Sequence, residues 1–171
     1  MNIIKATLTV FAFSVVSALH AQSIKDGETV DLNGVAVTFR VVNKEDVNVK
    51  GQTFDRYKVV AAVKNNTGKS FNIRLTSYPD LSGISASKLV ELNCVNATGA
   101  RLTSKKFDVS MTTHNLKVTY YTRNNDGKQV STEMTIPAGY YLDQGQSVEN
   151  DAIFIVPKGE ALQVSVRRLV N

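Results

Sequence analysis

A chain of 171 residues, 43% of them hydrophobic, is long enough to bury the core of one ordinary domain, and its single cysteine cannot close a disulfide internally. The net charge of +5 comes from scattered residues, with only Lys105-Lys106 and Arg167-Arg168 adjacent, which argues for a solvated exterior and against a nucleic-acid surface. No apolar run after residue 21 is long enough to span a membrane as a helix.

Residues 1–21 read as a secretory signal peptide. Lys5 gives a positive start, Ala6 to Val16 forms a short apolar core, and Ser17-Ala18-Leu19-His20-Ala21 supplies small residues for cleavage. Cleavage after Ala21 would begin the mature chain at Gln22; cleavage after Ala18 is the alternative. No cysteine follows the apolar core, so no lipid-modified N-terminus is expected. The expected location is secreted or periplasmic, with residues 22–171 forming one domain of net charge about +4. In that setting an anionic envelope polymer or a lipid head group is the expected counterion.

Apolar residues then alternate with polar ones at period two, the mark of half-buried strands. Thr29 to Leu32 leads into Asn33-Gly34, a hairpin signal, followed by alternating Val35, Val37, Phe39 and Val41. Tyr57, Val59, Ala61 and Val63 share one face of the next strand, and Asn65-Asn66-Thr67-Gly68 turns it towards Phe71, Ile73 and Leu75. Tyr78 to Gly83 reads as a loop. Ser87 to Val95 fits neither a strand nor a helical turn cleanly.

Phe107, Val109 and Met111 form a further strand, with His114 expected in a turn after it. Leu116, Val118 and Tyr120 follow, and Asn124-Asn125-Asp126-Gly127 reverses the chain into Val130, Thr132, Met134 and Ile136. Asp143-Gln144-Gly145-Gln146 is a loop before Ala152 to Val156, a strand expected to be central and covered on both faces. After Pro157-Lys158-Gly159, Leu162, Val164 and Val166 face the core. About eight or nine short strands predict an all-β fold, an antiparallel β-sandwich or a barrel.

Two segments carry a family resemblance: "YKVVAAVKNNTGKSFNI" from Tyr57 and "LDQGQSVENDAIFIVPKGEALQVSV" from Leu142. Together they resemble a family of exported, immunoglobulin-like β-sandwich domains, of which the mycobacterial secreted immunoprotective antigen has a similar example. The resemblance implies an immunoglobulin-like fold and brings no catalytic residues.

Chemistry-bearing patterns are sparse. His114 and Cys94 lack metal-ligand spacing, and no nucleophile motif surrounds any serine. Cys94 is expected to pack as a small hydrophobe. Asp143, Glu149 and Asp151 lack the alternating oxygens and fixed glycine of a calcium loop. Asn65-Asn66-Thr67 and Asn96-Ala97-Thr98 match a glycosylation acceptor pattern but read as turns.

The feature most suited to contact is the pair of double tyrosines. Adjacent strand residues point to opposite faces, so each pair would bury one ring, Tyr120 in the first, and expose the other. Tyr121 and Tyr141 are the candidate contacts with a ligand or partner. The expected function is non-enzymatic: a surface-recognition or cell-envelope module, without cofactor or metal, whose partner is an unknown protein or envelope polymer. A fibre subunit or adhesin assembled by strand addition and a hydrolase with an unrecognised carboxylate pair are the alternatives.

Overall fold

The computed structural model describes residues 22–77 and 79–170, so the signal-peptide reading of residues 1–21 lies outside the described residues. Among these, eleven strands and one short helix follow in the order β1 (Gln22–Ile24), β2 (Thr29–Asp31), β3 (Val35–Val49), β4 (Gln52–Asn65), β5 (Phe71–Arg74), α1 (Leu81–Ala86), β6 (Lys88–Val95), β7 (Arg101–Ser110), β8 (Thr112–Arg123), β9 (Gln129–Leu142), β10 (Ser147–Pro157) and β11 (Gln163–Arg168). The strands form three antiparallel sheets, β1-β11-β6-β7, β10-β4-β3-β2 and β5-β9-β8. The fold is all-β and sandwich-like. It has more strands than the eight or nine expected, because short β1 pairs as a further strand and the ambiguous 87–95 segment supplies β6.

Turn chemistry sets the hairpins. Asn33 and Gly34 both adopt positive φ, 56° and 86°, which is the two-residue turn that matches strand twist. Lys50 and Gly51 do the same at 52° and 82°, joining β3 to β4 in one long hairpin. The inner faces of the first two sheets feed one buried cluster, with Val37 and Phe39 from β3, Val59 and Val63 from β4, Leu92 and Cys94 from β6, and Val164 and Val166 from β11. Cys94 is buried there, as a small hydrophobe would be. No described helix is long and apolar enough to cross a membrane.

Three local expectations are corrected. β10 is not central: it is the outer strand of its sheet, with Phe154 and Val156 fully buried but Ile155 45% exposed. Its free side lies against β7, where Lys105 Nζ donates to the Ile153 carbonyl at 3.1 Å and Asn150 Nδ2 to the Asp108 carbonyl at 3.1 Å. Side chains rather than a backbone ladder therefore close that margin of the sandwich. His114 is in β8, opposite Gly139, rather than in a turn. Tyr120 is exposed rather than buried, because nothing described packs behind the outer part of β8. The ambiguous 87–95 segment resolves into a helix end and a strand: Asp80 caps α1 by accepting from Gly83 N, Ser87 ends the helix, and Lys88–Val95 is β6.

Polar side chains tie loops to the core. Asn65, fully buried, donates to the carbonyls of Lys69 and Leu142 and accepts from Thr67 N and Oγ1. That bonding makes Asn65 a turn residue, inaccessible to modification in the fold. Arg168 Nη1 donates to the Leu32 and Asn33 carbonyls at 3.0 and 2.8 Å, joining the end of β11 to the β2–β3 turn.

Candidate functional site

The β8–β9 hairpin is longer than the sheet that supports it. β5 has only four residues and pairs with Gly139–Leu142, so from Asn115 to Ile136 the hairpin is a two-stranded ribbon. Its neck is written in the sequence Pro137-Ala138-Gly139. Pro137 lacks a backbone donor and so suits a ladder irregularity. The register shifts between His114 and Asn115, leaving Ala138 without a β8 partner, and its carbonyl accepts from Leu75 N at 2.9 Å instead. Gly139 permits β5 to approach closely, since a Cβ there would sit 2.5 Å from the Ile73 carbonyl oxygen.

Beyond the neck the ribbon has two unlike faces. Directly opposed residues share a face, and the register pairs Leu116 with Ile136, Val118 with Met134, Tyr120 with Thr132 and Thr122 with Val130. That face is apolar and unpartnered: Leu116 is 47% exposed, Tyr120 44%, Val130 42% and Met134 40%. The other face pairs Lys117 with Thr135, Thr119 with Glu133, Tyr121 with Ser131 and Arg123 with Gln129. Isolated two-stranded hairpins are marginal in water, which makes a covered ribbon more stable than a bare one.

At the foot of the apolar face lies a groove of about 580 Å³, lined by Asn72, Arg74, His114, Leu116, Tyr141 and Asp143 among others. The His114 and Tyr141 rings meet edge to face at 6.5 Å between centroids. Tyr141 thus lines this groove, half-buried, whereas Tyr121 stands 66% exposed on the polar face of the ribbon. The fold does not bring the two together: nine strand positions, about 30 Å, separate Tyr121 from Thr112, the β8 partner of Tyr141.

A second polar cluster went unnoticed in the sequence. The Asp55 side chain is fully buried, with Lys44 Nζ 3.0 Å from Oδ2, Lys158 Nζ 3.2 Å from Oδ1, and Gly159 N donating to Oδ2 at 3.0 Å. Lys44, Gly159 N and Lys158 together hold its carboxyl down to about 2. The Lys44 ammonium is raised to about 12 by Tyr57 and Asp55, and its Nζ lies 5.1 Å from the Tyr57 ring centre. Lys158 also pairs with Asp46. Oδ1 makes no hydrogen bond beyond the Lys158 ion pair, yet two ammonium groups and a backbone N–H hold this anion as a fixed acceptor and a poor proton shuttle, so the cluster is a structural clasp. The signal was available: Asp55 shares the odd-numbered register of Tyr57, Val59, Ala61 and Val63.

Among the described residues, no group of three or more His, Cys, Asp or Glu side chains is placed to hold a metal ion. Comparison with protein-family models, curated proteins and solved structures gives no match.

Proposed function

We propose that this chain is an exported, non-enzymatic recognition module on an immunoglobulin-like sandwich, and that the β8–β9 ribbon is its contact element. The observation that carries the reading is the ribbon's unpartnered apolar face, running from Val130 to Leu116 and into the groove beside Tyr141. Its exposed area is roughly 300–500 Å², a size at which an apolar patch on a monomer is often functional. The immunoglobulin-like assignment is supported by the pairing of β4 with β10, a strand from each of the two resembling segments, with Phe154 opposite Tyr57. Export is supported by the layout of residues 1–21, and the partner is an exported protein or envelope polymer.

A hydrolase reading needs two carboxylates facing one cleft; the groove at the ribbon's foot has Asp143 alone, and Glu149 and Asp151 share a smaller groove of about 250 Å³ beside Lys58. A fibre subunit assembled by strand addition is the second reading, favoured by the open edge of β8.

The test places a photo-cross-linking residue at Tyr120 and, as control, at exposed Thr53 of β4 in the producing cells. Adducts from position 120 alone, abolished by Leu116→Ser with Met134→Ser, are expected. Equal labelling from both positions would refute the ribbon as contact element. Recovered protein should begin near Gln22; retention of Met1 in membranes would refute export.

A further inference from the structure

We propose that the ribbon binds an extended polypeptide segment of another protein, added as a third strand along β8, with apolar residues on one side and acidic residues on the other. The proposal rests on the ribbon being the contact element. Among the described residues β8 pairs only with β9, so one backbone edge of Leu116 to Arg123 has no ladder partner. An extended chain can satisfy those groups by strand addition, alternate side chains supplying specificity.

The chemistry of the segment follows from the edge strand. Leu116, Val118 and Tyr120 occupy one face of β8, so apolar residues of the added strand would continue that face. On the other face stand Lys117 and Arg123, and β8 contains no Asp or Glu. Opposite charges directly across a ladder are favourable and like charges are not. The segment opposite Lys117 and Arg123 therefore carries acidic residues six positions apart, the spacing of the two cations themselves.

The same features restrict pairing with a second copy of this chain. Antiparallel pairing of two β8 strands centred on Tyr120 sets Lys117 against Arg123 and centring on either cation sets it against itself, which leaves registers such as those centred on Thr119 or Tyr121 free of a like-charge clash. Packing two apolar ribbon faces together would bury well under the ~800 Å² per partner of a standard interface. Edge lysines are a known guard against self-association; here the guard also selects the partner.

The experiment uses the chain recovered from its producing cells and three labelled peptides long enough to run along β8. Each alternates valine and threonine; the first has glutamates six positions apart, the second lysines at those positions, and the third carries prolines that prevent strand formation. Binding is read by fluorescence anisotropy, and the contact by hydrogen exchange. The glutamate peptide should bind on the order of tenfold more tightly than the lysine peptide at low salt, less so at high salt. It should also slow exchange of the β8 amides, while the proline peptide should not bind. The double variant Lys117→Glu, Arg123→Glu, both exposed and with an unchanged melting temperature, should reverse the preference.

Failure of the glutamate peptide to bind, or binding without charge preference, would overturn the proposal. Protection along the outer edge of β9 instead would overturn the β8 assignment and leave the ribbon as contact element. Binding that protects neither strand of the ribbon would overturn both. A concentration-dependent dimer of the chain alone, dispersed by the double variant, would put a second copy in the peptide's place and refute the proposal.

Discussion

Truncating Phe154 tests the core most directly. The side chain is fully buried in β10, and its ring meets Phe107 of β7 edge to face at 6.5 Å and 76°. Phe154 and Phe107 stand on strands of different sheets, so their contact helps hold the two layers together. Phe154→Ala removes the transfer energy of the ring and leaves a cavity, together about 3–5 kcal/mol. About 0.5–1.5 kcal/mol of that belongs to the ring pair, which a double-mutant cycle with Phe107→Leu isolates. Ile155 is the internal control, because it is one residue away in the same strand but 45% exposed; Ile155→Ala should cost about 1 kcal/mol. Urea denaturation, followed by circular dichroism, gives both values from shifts in midpoint at unchanged slope. If Phe154→Ala costs no more than Ile155→Ala, the two faces of β10 are wrongly assigned and the inter-sheet contact with them.

Three further outcomes are expected. Asp55 has its carboxyl lowered from 3.8 to about 2, so its contribution is complete above about pH 4 and is lost as pH falls towards 2. Denaturation midpoints should therefore fall through that window in the parent and fall less steeply in Asp55→Asn; parallel pH profiles would refute the clasp. Burial pushes the Cys94 thiol up to about 12, so thiol reagents should label it only under denaturing conditions, and fast labelling of the folded chain would contradict its placement. Gly139→Ala forces β5 away from the neck of the ribbon, for about 1–3 kcal/mol; faster hydrogen exchange at Phe71 to Arg74 is the measurement, and unchanged exchange would refute the close approach.

How far the sequence could be read depended on what lay behind each strand. Period two marked β3, β4 and β11 correctly, and Asn33-Gly34 marked its turn, because those signals are local. The same period ran through Leu116, Val118 and Tyr120, yet that face has no layer behind it. Alternation says that a strand has an apolar side and cannot say whether a second sheet reaches it. The reach was decided by β5, whose four residues stop at the neck. A continuous apolar run misled in the opposite way: AIFIV looked covered on both faces, but Ile155 faces outward from an outer strand. Of the two candidate tyrosines, Tyr141 lines the groove and Tyr121 stands on the polar ribbon face, and adjacency in sequence could not give their separation in space.

The two ends of β11 have a mechanical consequence. The strand belongs to one sheet, yet the turn before it is bonded through Gly159 N to Asp55 of the other, and Arg168 at its end reaches the turn between β2 and β3. Two anchor points roughly 20 Å apart resist sliding of one layer over the other along β11. The sandwich is thus clasped along β11, and its opposite margin, between β7 and β10, is fastened separately by the side chains of Lys105 and Asn150 and by the Phe107–Phe154 ring pair.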